Sequence, residues 1–146
     1  MKNILVVDDE IGSAEILAMI LVEEGFRAVS AVNGTKALEL AHEHTPDIAI
    51  VDFMMPVMSG PVLIRTMKAD PRFAGTRFVL NSGLSEESVR RQFQDFDLFL
   101  RKPFRIETIM AAITSLIGDV PMQERTSDPG RSELAELLPA ARRRPA

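Results

Sequence analysis

The chain has 146 residues, 46% of them hydrophobic, which is the length of one ordinary domain with enough apolar side chains to bury a core. Its 17 basic and 21 acidic residues leave a net charge of -4, so it carries no general electrostatic footprint for DNA, RNA or an anionic membrane. It has no cysteine, which excludes disulfides, thiolate metal centres and cysteine nucleophiles and gives no sign of an oxidising compartment.

The first apolar run, Ile4 to Val7, predicts a strand over 3–7. At four residues it is too short for a signal peptide or a membrane span, and a cytoplasmic location is expected. A helix over 11–24 ends at Gly25 and leads to a strand over 26–31. Thr35 is the expected N-cap of a helix over 35–44, followed by a strand over 47–52. Pro61 suits the first turn of a helix over 60–69, ahead of a strand over 77–81. Ser85 caps a helix over 85–94, a strand over 97–101 follows, and a helix over 105–117 ends at Gly118. Short Val-, Ile- and Leu-rich runs alternating with amphipathic segments imply a parallel sheet covered by helices. Five strands and five helices make this an α/β protein with an open, doubly wound sheet.

Beyond Gly118 the hydrophobic periodicity is lost, and Pro121, Pro129, Gly130, Pro139 and Pro145 interrupt the chain. The expected organisation is therefore a domain over 1–118 and a flexible tail over 119–146, with the whole acidic excess in the domain. Within the tail, Arg131 to Leu138 spells two turns of amphipathic helix, too short to be stable alone in water.

In doubly wound sheets, ligands sit outside the carboxyl ends of the strands. The residues at those ends are Asp8 and Asp9 after the first strand, Asp52 at the end of the third, Ser82 past the fourth and Lys102 past the fifth. Each alone has a structural explanation. Asp8-Asp9-Glu10 suits a helix N-terminus, Asp52 a turn, Ser82 a cap and Lys102 a solvated cation. Together, three carboxylates in one crevice repel by several kcal/mol per close pair at an effective dielectric of about 20, so the crevice calls for a cation. Oxygen-only ligands suit Mg²⁺ better than zinc. His42 and His44, two residues apart on different helix faces, are expected to be solvent-exposed.

Four segments, Val6-Val7-Asp8-Asp9-Glu10, Val51-Asp52-Phe53-Met54-Met55-Pro56 with Gly60 after it, Asn81-Ser82-Gly83, and Arg101-Lys102-Pro103-Phe104, resemble the signature of response-regulator receiver domains. The resemblance spans about residues 2–118. It implies a flavodoxin-like strand order 2-1-3-4-5 and Asp52 as phospho-acceptor. It further implies Mg²⁺ held by Asp9, Asp52, the backbone carbonyl of Met54 and, through water, Asp8. Ser82 then bonds the phosphoryl group, Lys102 pairs with it, and Phe99 matches the switch aromatic, although an aromatic inside a strand is also ordinary core.

The function implied is a stand-alone signalling switch that takes phosphate from a histidine kinase or histidine phosphotransfer protein. It acts through protein contacts, with no direct nucleic-acid or membrane partner and no enzymatic activity beyond its own phosphorylation and dephosphorylation. A relay intermediate passing phosphate onward is the alternative. An aspartate-nucleophile phosphohydrolase usually carries Asp-x-Asp at the first strand end, which Asp8-Asp9-Glu10 does not supply, and no glycine-rich nucleotide-binding loop follows that strand. The phosphorylated form is expected to be long-lived, because Met54 and Leu84 flank the crevice and neither can orient an attacking water. The partner surface is expected on the fourth helix, fifth strand and fifth helix, where Arg90-Arg91 either takes part or forms a solvated face.

Overall fold

A computed structural model describes residues 1–118; the tail and its Arg131–Leu138 segment lie outside the described residues. The strands are β1 (Asn3–Val7), β2 (Arg27–Ala31), β3 (Ile48–Asp52), β4 (Arg77–Ser82) and β5 (Leu98–Arg101). The helices are α1 (Ile11–Glu23), α2 (Gly34–Glu43), α3 (Gly60–Lys68), α4 (Glu86–Arg90) and α5 (Ile106–Ile117), with one 3₁₀ turn at Pro71–Phe73. The strands form one parallel sheet in the order β2-β1-β3-β4-β5, as expected.

Strand alternation sorts the core into two layers. Ile4, Val6, Ile48, Ile50, Val79 and Leu100 pack with α1 and α5 on one face of the sheet. Leu5, Val7, Ala49, Val51, Phe78 and Leu80 pack with α2, α3 and α4 on the other. Each large side chain fully buried here contributes about 1.5–3 kcal/mol, so both layers stabilise the sheet. The same alternation carried to the strand ends puts Asp8, Asp52, Asn81 and Lys102 on the α1–α5 side and Ser82 and Phe99 on the other.

Several boundaries differ from expectation, most by a single residue, and three of the differences have identifiable reasons. α2 begins at Gly34, capped by Asn33, whose side chain accepts the Lys36 amide at 2.8 Å; Asn is a better N-cap than Thr, and Thr35 falls inside the first turn. β4 runs through Ser82, which bonds into the ladder because its carbonyl accepts the Lys102 amide at 2.8 Å. α4 ends at Arg90 rather than 94. The Gln92-to-Asp97 segment instead buries Phe93 and Phe96 in the second layer while Asp97 accepts the Phe78 amide at 2.7 Å.

Ser59 caps α3, Pro61 lies in its first turn, and Ser85 caps α4. Gly60 has a close-approach requirement: a Cβ there would stand 2.4 Å from the Asp52 carbonyl oxygen. It lets α3 begin directly against the end of β3. No described helix is long and apolar enough to cross a membrane.

Candidate functional site

The segment after β1 and the last residue of β3 bring their acids to one place at the carboxyl ends of these two strands. Asp8, Asp9 and Asp52 each offer a carboxylate oxygen, and these oxygens all lie within 4.8 Å of one another. Asp8 and Asp52 are buried, whereas Asp9 is exposed. Asp8 has two partners: its Oδ1 accepts the Glu10 amide at 3.0 Å and its Oδ2 accepts from Lys102 Nζ at 2.8 Å.

Lys102 reaches the crevice from the loop after β5 and also pairs with Asp52 Oδ1 at 3.3 Å. One ammonium thus sits between two buried carboxylates 94 and 50 residues away in sequence. That leaves three acids against one nearby cation, and the imbalance shows in Asp52. Burial, with the charges of Asp8 and Asp9, outweighs the pull of Lys102 and raises its pKa from 3.8 to about 6. Burial draws Lys102 downward, but the hydrogen bonds and charges of Asp8 and Asp52 prevail, and its pKa is raised. The lysine is firmly charged while Asp52 is held back from ionising. An oxygen-only set of converging carboxylates fits a hard divalent cation, whose charge would remove that restraint.

The other expected site residues belong to the end of β4, the loops after β3 and β4, and β5. Ser82 is buried at the end of β4, one residue beyond the Asp52–Asn81 pairing, and its Oγ accepts the Leu84 amide at 3.1 Å. Met54 in the loop after β3 is 67% exposed and Leu84 in the loop after β4 is 41% exposed. Phe99 is half-buried against the second layer, with its ring centroid 6.3 Å from that of Phe96, which in turn lies 6.1 Å from Phe93.

Three features escaped sequence reasoning. Arg90 lies 4.4 Å over the Phe96 ring and also bonds Glu86 at 2.7 Å, so it is tied to the aromatic row, whereas Arg91 pairs with Glu87 on the outer face. Only a contact across the end of α4 reveals that difference. His42, exposed as expected, stacks at a tilt 5.3 Å from Phe73 and contacts Arg72 at 2.8 Å through Nδ1. Asn81 is 97% buried beside Asp52 on the neighbouring strand, on the same side of the sheet, and among the described residues its Oδ1 has no hydrogen-bond partner. A polar residue at a core-facing strand position was the available signal.

Comparison with known proteins agrees with this geometry. The family described as the response regulator receiver domain matches residues 4–114. Response regulator Rre1 of Synechocystis is 31% identical over 138 residues, covering 92% of this chain and 58% of its own length. The polar-differentiation response regulator DivK of Brucella anthropi is 27% identical, covering 81% of this chain and 98% of its own. The DNA-binding response regulator MtrA of Mycobacterium tuberculosis is 32% identical, covering 77% and 49%. The chain therefore spans about half the length of Rre1 and MtrA but nearly all of DivK. Among solved structures, chemotaxis protein CheY4 of Vibrio cholerae superposes with a TM-score of 0.76 at 24% identity, covering 80% of this chain and 99% of its own; this likeness concerns the fold. Response regulator TrrA of Thermotoga maritima, solved in complex with Mg(2+)-BeF, gives a TM-score of 0.70 at 28% identity and covers 80% and 100%.

Proposed function

This chain belongs to the response regulator receiver domain family, and on that premise we propose that it is a signalling switch set by transfer of a phosphoryl group to Asp52 from a histidine kinase or histidine phosphotransfer protein. The observation that carries this reading is the Asp52 carboxylate itself, buried, 3.3 Å from Lys102 Nζ and crowded by Asp8 and Asp9.

Phosphoryl transfer has a loose transition state with charge spread over the phosphoryl oxygens, so alignment and positive charge do most of the work. Asp52, once ionised, attacks phosphorus in line through a carboxylate oxygen. The new O–P bond forms as the donor's P–N bond breaks, and the departing imidazole keeps the electron pair and takes up a proton. Asp9, Asp52 and the Met54 carbonyl, with Asp8 through water, would hold Mg²⁺, which would supply charge neutralisation at the carboxylates and the phosphoryl oxygens. TrrA, solved in complex with Mg(2+)-BeF, supports that choice of metal.

Lys102 exchanges its Asp52 contact for a phosphoryl oxygen while keeping Asp8 within reach. Ser82 accepts the Leu84 amide in the structure, which leaves its O–H free to donate to the phosphoryl group. Ser82 and Phe99 lie on the same side of the sheet, so a shift of Ser82 toward the phosphoryl group gives Phe99 room to turn inward. The surface of α4, β5 and α5, with Arg90 resting on Phe96, then changes shape for a downstream protein. A coupling of about 1–3 kcal/mol suffices for a 5–150-fold change in partner affinity.

Incubation with a small acyl phosphate and Mg²⁺ tests this proposal. Intact mass should rise by one phosphoryl group, peptide mapping should place it on Asp52, and a chelator should prevent it. Stoichiometric labelling elsewhere, or labelling indifferent to the chelator, contradicts the assignment.

A further inference from the structure

α1 differs from the other long helices in what it shows to solvent. The outer faces of α2, α3 and α5 carry exposed polar side chains such as Lys36, Glu39, Arg65 and Thr108. α1 instead turns Met19 and Val22 outward, 49% and 52% exposed, with half-buried Ile16 one turn before them. Residues three apart are neighbours on a helix surface, so these side chains form one apolar stripe. An apolar stripe on the outer face marks a helix that a further element covers.

The chain itself supplies a matching element. In Arg131 to Leu138, Leu134, Leu137 and Leu138 recur at helical spacing with Glu136 opposite them, and a helix that short needs a surface to form on. Its tether starts in the right place. α1 and α5 pack on the same face of a parallel sheet and run in the same direction, so Gly118 lies at the end of the sheet that Val22 approaches. Residues 119–130 can span about 40 Å, which exceeds the length of about 20 Å that α1 has. A tether that short gives the leucines an effective concentration on the order of 1 mM, so weak contacts suffice. Charge agrees, because Arg142, Arg143 and Arg144 follow closely, whereas α1 carries Glu15 and Glu23 and no basic residue.

We propose that residues 131–138 dock on the outer face of α1 of the same chain, with Leu134, Leu137 and Leu138 against Ile16, Met19 and Val22. The docking rests on neither Asp52 nor a metal, so its test reads contact directly.

The chain has no cysteine, so Ala141→Cys gives a single site for a nitroxide spin label beside the docked segment. In the full chain the label should broaden the amide signals of α1 most strongly, from Ile16 to Val22, and reduction of the nitroxide should restore them. Leu134→Glu with Leu137→Glu should remove this broadening, and Met19→Glu should do the same. If Met19→Glu does not fold, the double leucine variant decides alone. In a second sample, isotope-labelled chain without the spin label is mixed with spin-labelled chain of natural isotopes, and there α1 should stay sharp. The proposal is overturned by broadening that is spread evenly or centred away from α1, or by broadening of α1 that survives the leucine substitutions. Equal broadening of α1 in the mixed sample overturns it as well, because a second copy would then be the occupant.

Discussion

Carboxylates stand at both ends of the same sheet, and the two groups are treated oppositely. At the amino end, Asp47 Oδ2 accepts the Asn3 amide at 2.7 Å and Asp97 Oδ2 accepts the Phe78 amide at 2.7 Å. These acids clamp the starts of β1 and β4, and Arg77, 3.8 Å from Asp97, completes one of the pairs. At the carboxyl end, Asp8, Asp9 and Asp52 crowd one another around a single lysine, and Asp52 resists ionisation. The acids at the amino end meet backbone amides of other strands, whereas those at the carboxyl end converge on one another, Asp8 alone also taking the amide of its neighbour Glu10. Residue type does not separate the two groups; the crowding of carboxylates does.

The comparison breaks most visibly if the two ends respond alike to mutation. Asp52→Asn should abolish phosphoryl labelling measured by intact mass, while Asp97→Ala should label at the wild-type rate. Next in size is the lifetime of the phosphorylated form. Replacing the rim pair by Met54→Asn with Leu84→Glu gives an attacking water partners it lacks, and the acyl phosphate should decay up to about 100-fold faster. A native lifetime equal to that of the double variant would show that these apolar side chains do not shield the bond. Asp9→Ala removes one direct metal ligand and leaves Asp52 in place, so the Mg²⁺ concentration needed for half-maximal labelling should rise by about tenfold, a loss of about 1.4 kcal/mol. Unchanged metal dependence would remove Asp9 from the metal site.

The remaining effects concern stability, and here the two ends should differ in sign. Asp97→Ala strips the Phe78 amide of its charged acceptor and should cost about 1–3 kcal/mol in urea unfolding. Asp52→Asn should instead stabilise the protein at neutral pH by about 1–3 kcal/mol, because it removes a carboxylate that folding makes harder to ionise. The pH dependence follows the same logic. The folded pKa of Asp52, about 6, lies above its unfolded value of 3.8, so the stability this group contributes is fully present below 3.8 and is lost as pH rises through 6. Asp52→Asn should remove that decline.

Much of this contrast could be read in the sequence. Apolar runs of fixed period located all five strands, and position at the carboxyl ends singled out Asp8, Asp9, Asp52 and Lys102 as companions. Less legible was whatever depends on a contact between distant segments. Nothing in the sequence near Lys102 says that its ammonium lies closer to Asp8 than to Asp52. The early end of α4 follows from burying Phe93 and Phe96, a tertiary demand that overrides the helical pattern continuing past Arg90. Capping at Asn33 rather than Thr35 was a choice between neighbours of similar chemistry, decided by Asn being the stronger cap. Asn81 could be read as a polar residue in an apolar strand, but not as one buried with its Oδ1 unpaired among the described residues.

The central claim is that the carboxyl end of the sheet holds Asp52 in a state that a divalent cation completes. Titration of the Asp52 side-chain carboxyl by carbon-detected NMR, with and without Mg²⁺, tests it most directly. The account predicts a midpoint near 6 without metal, where burial and the neighbouring acids hold it, and a clear downward shift when Mg²⁺ is added. A midpoint near 3.8 that Mg²⁺ does not move would contradict it.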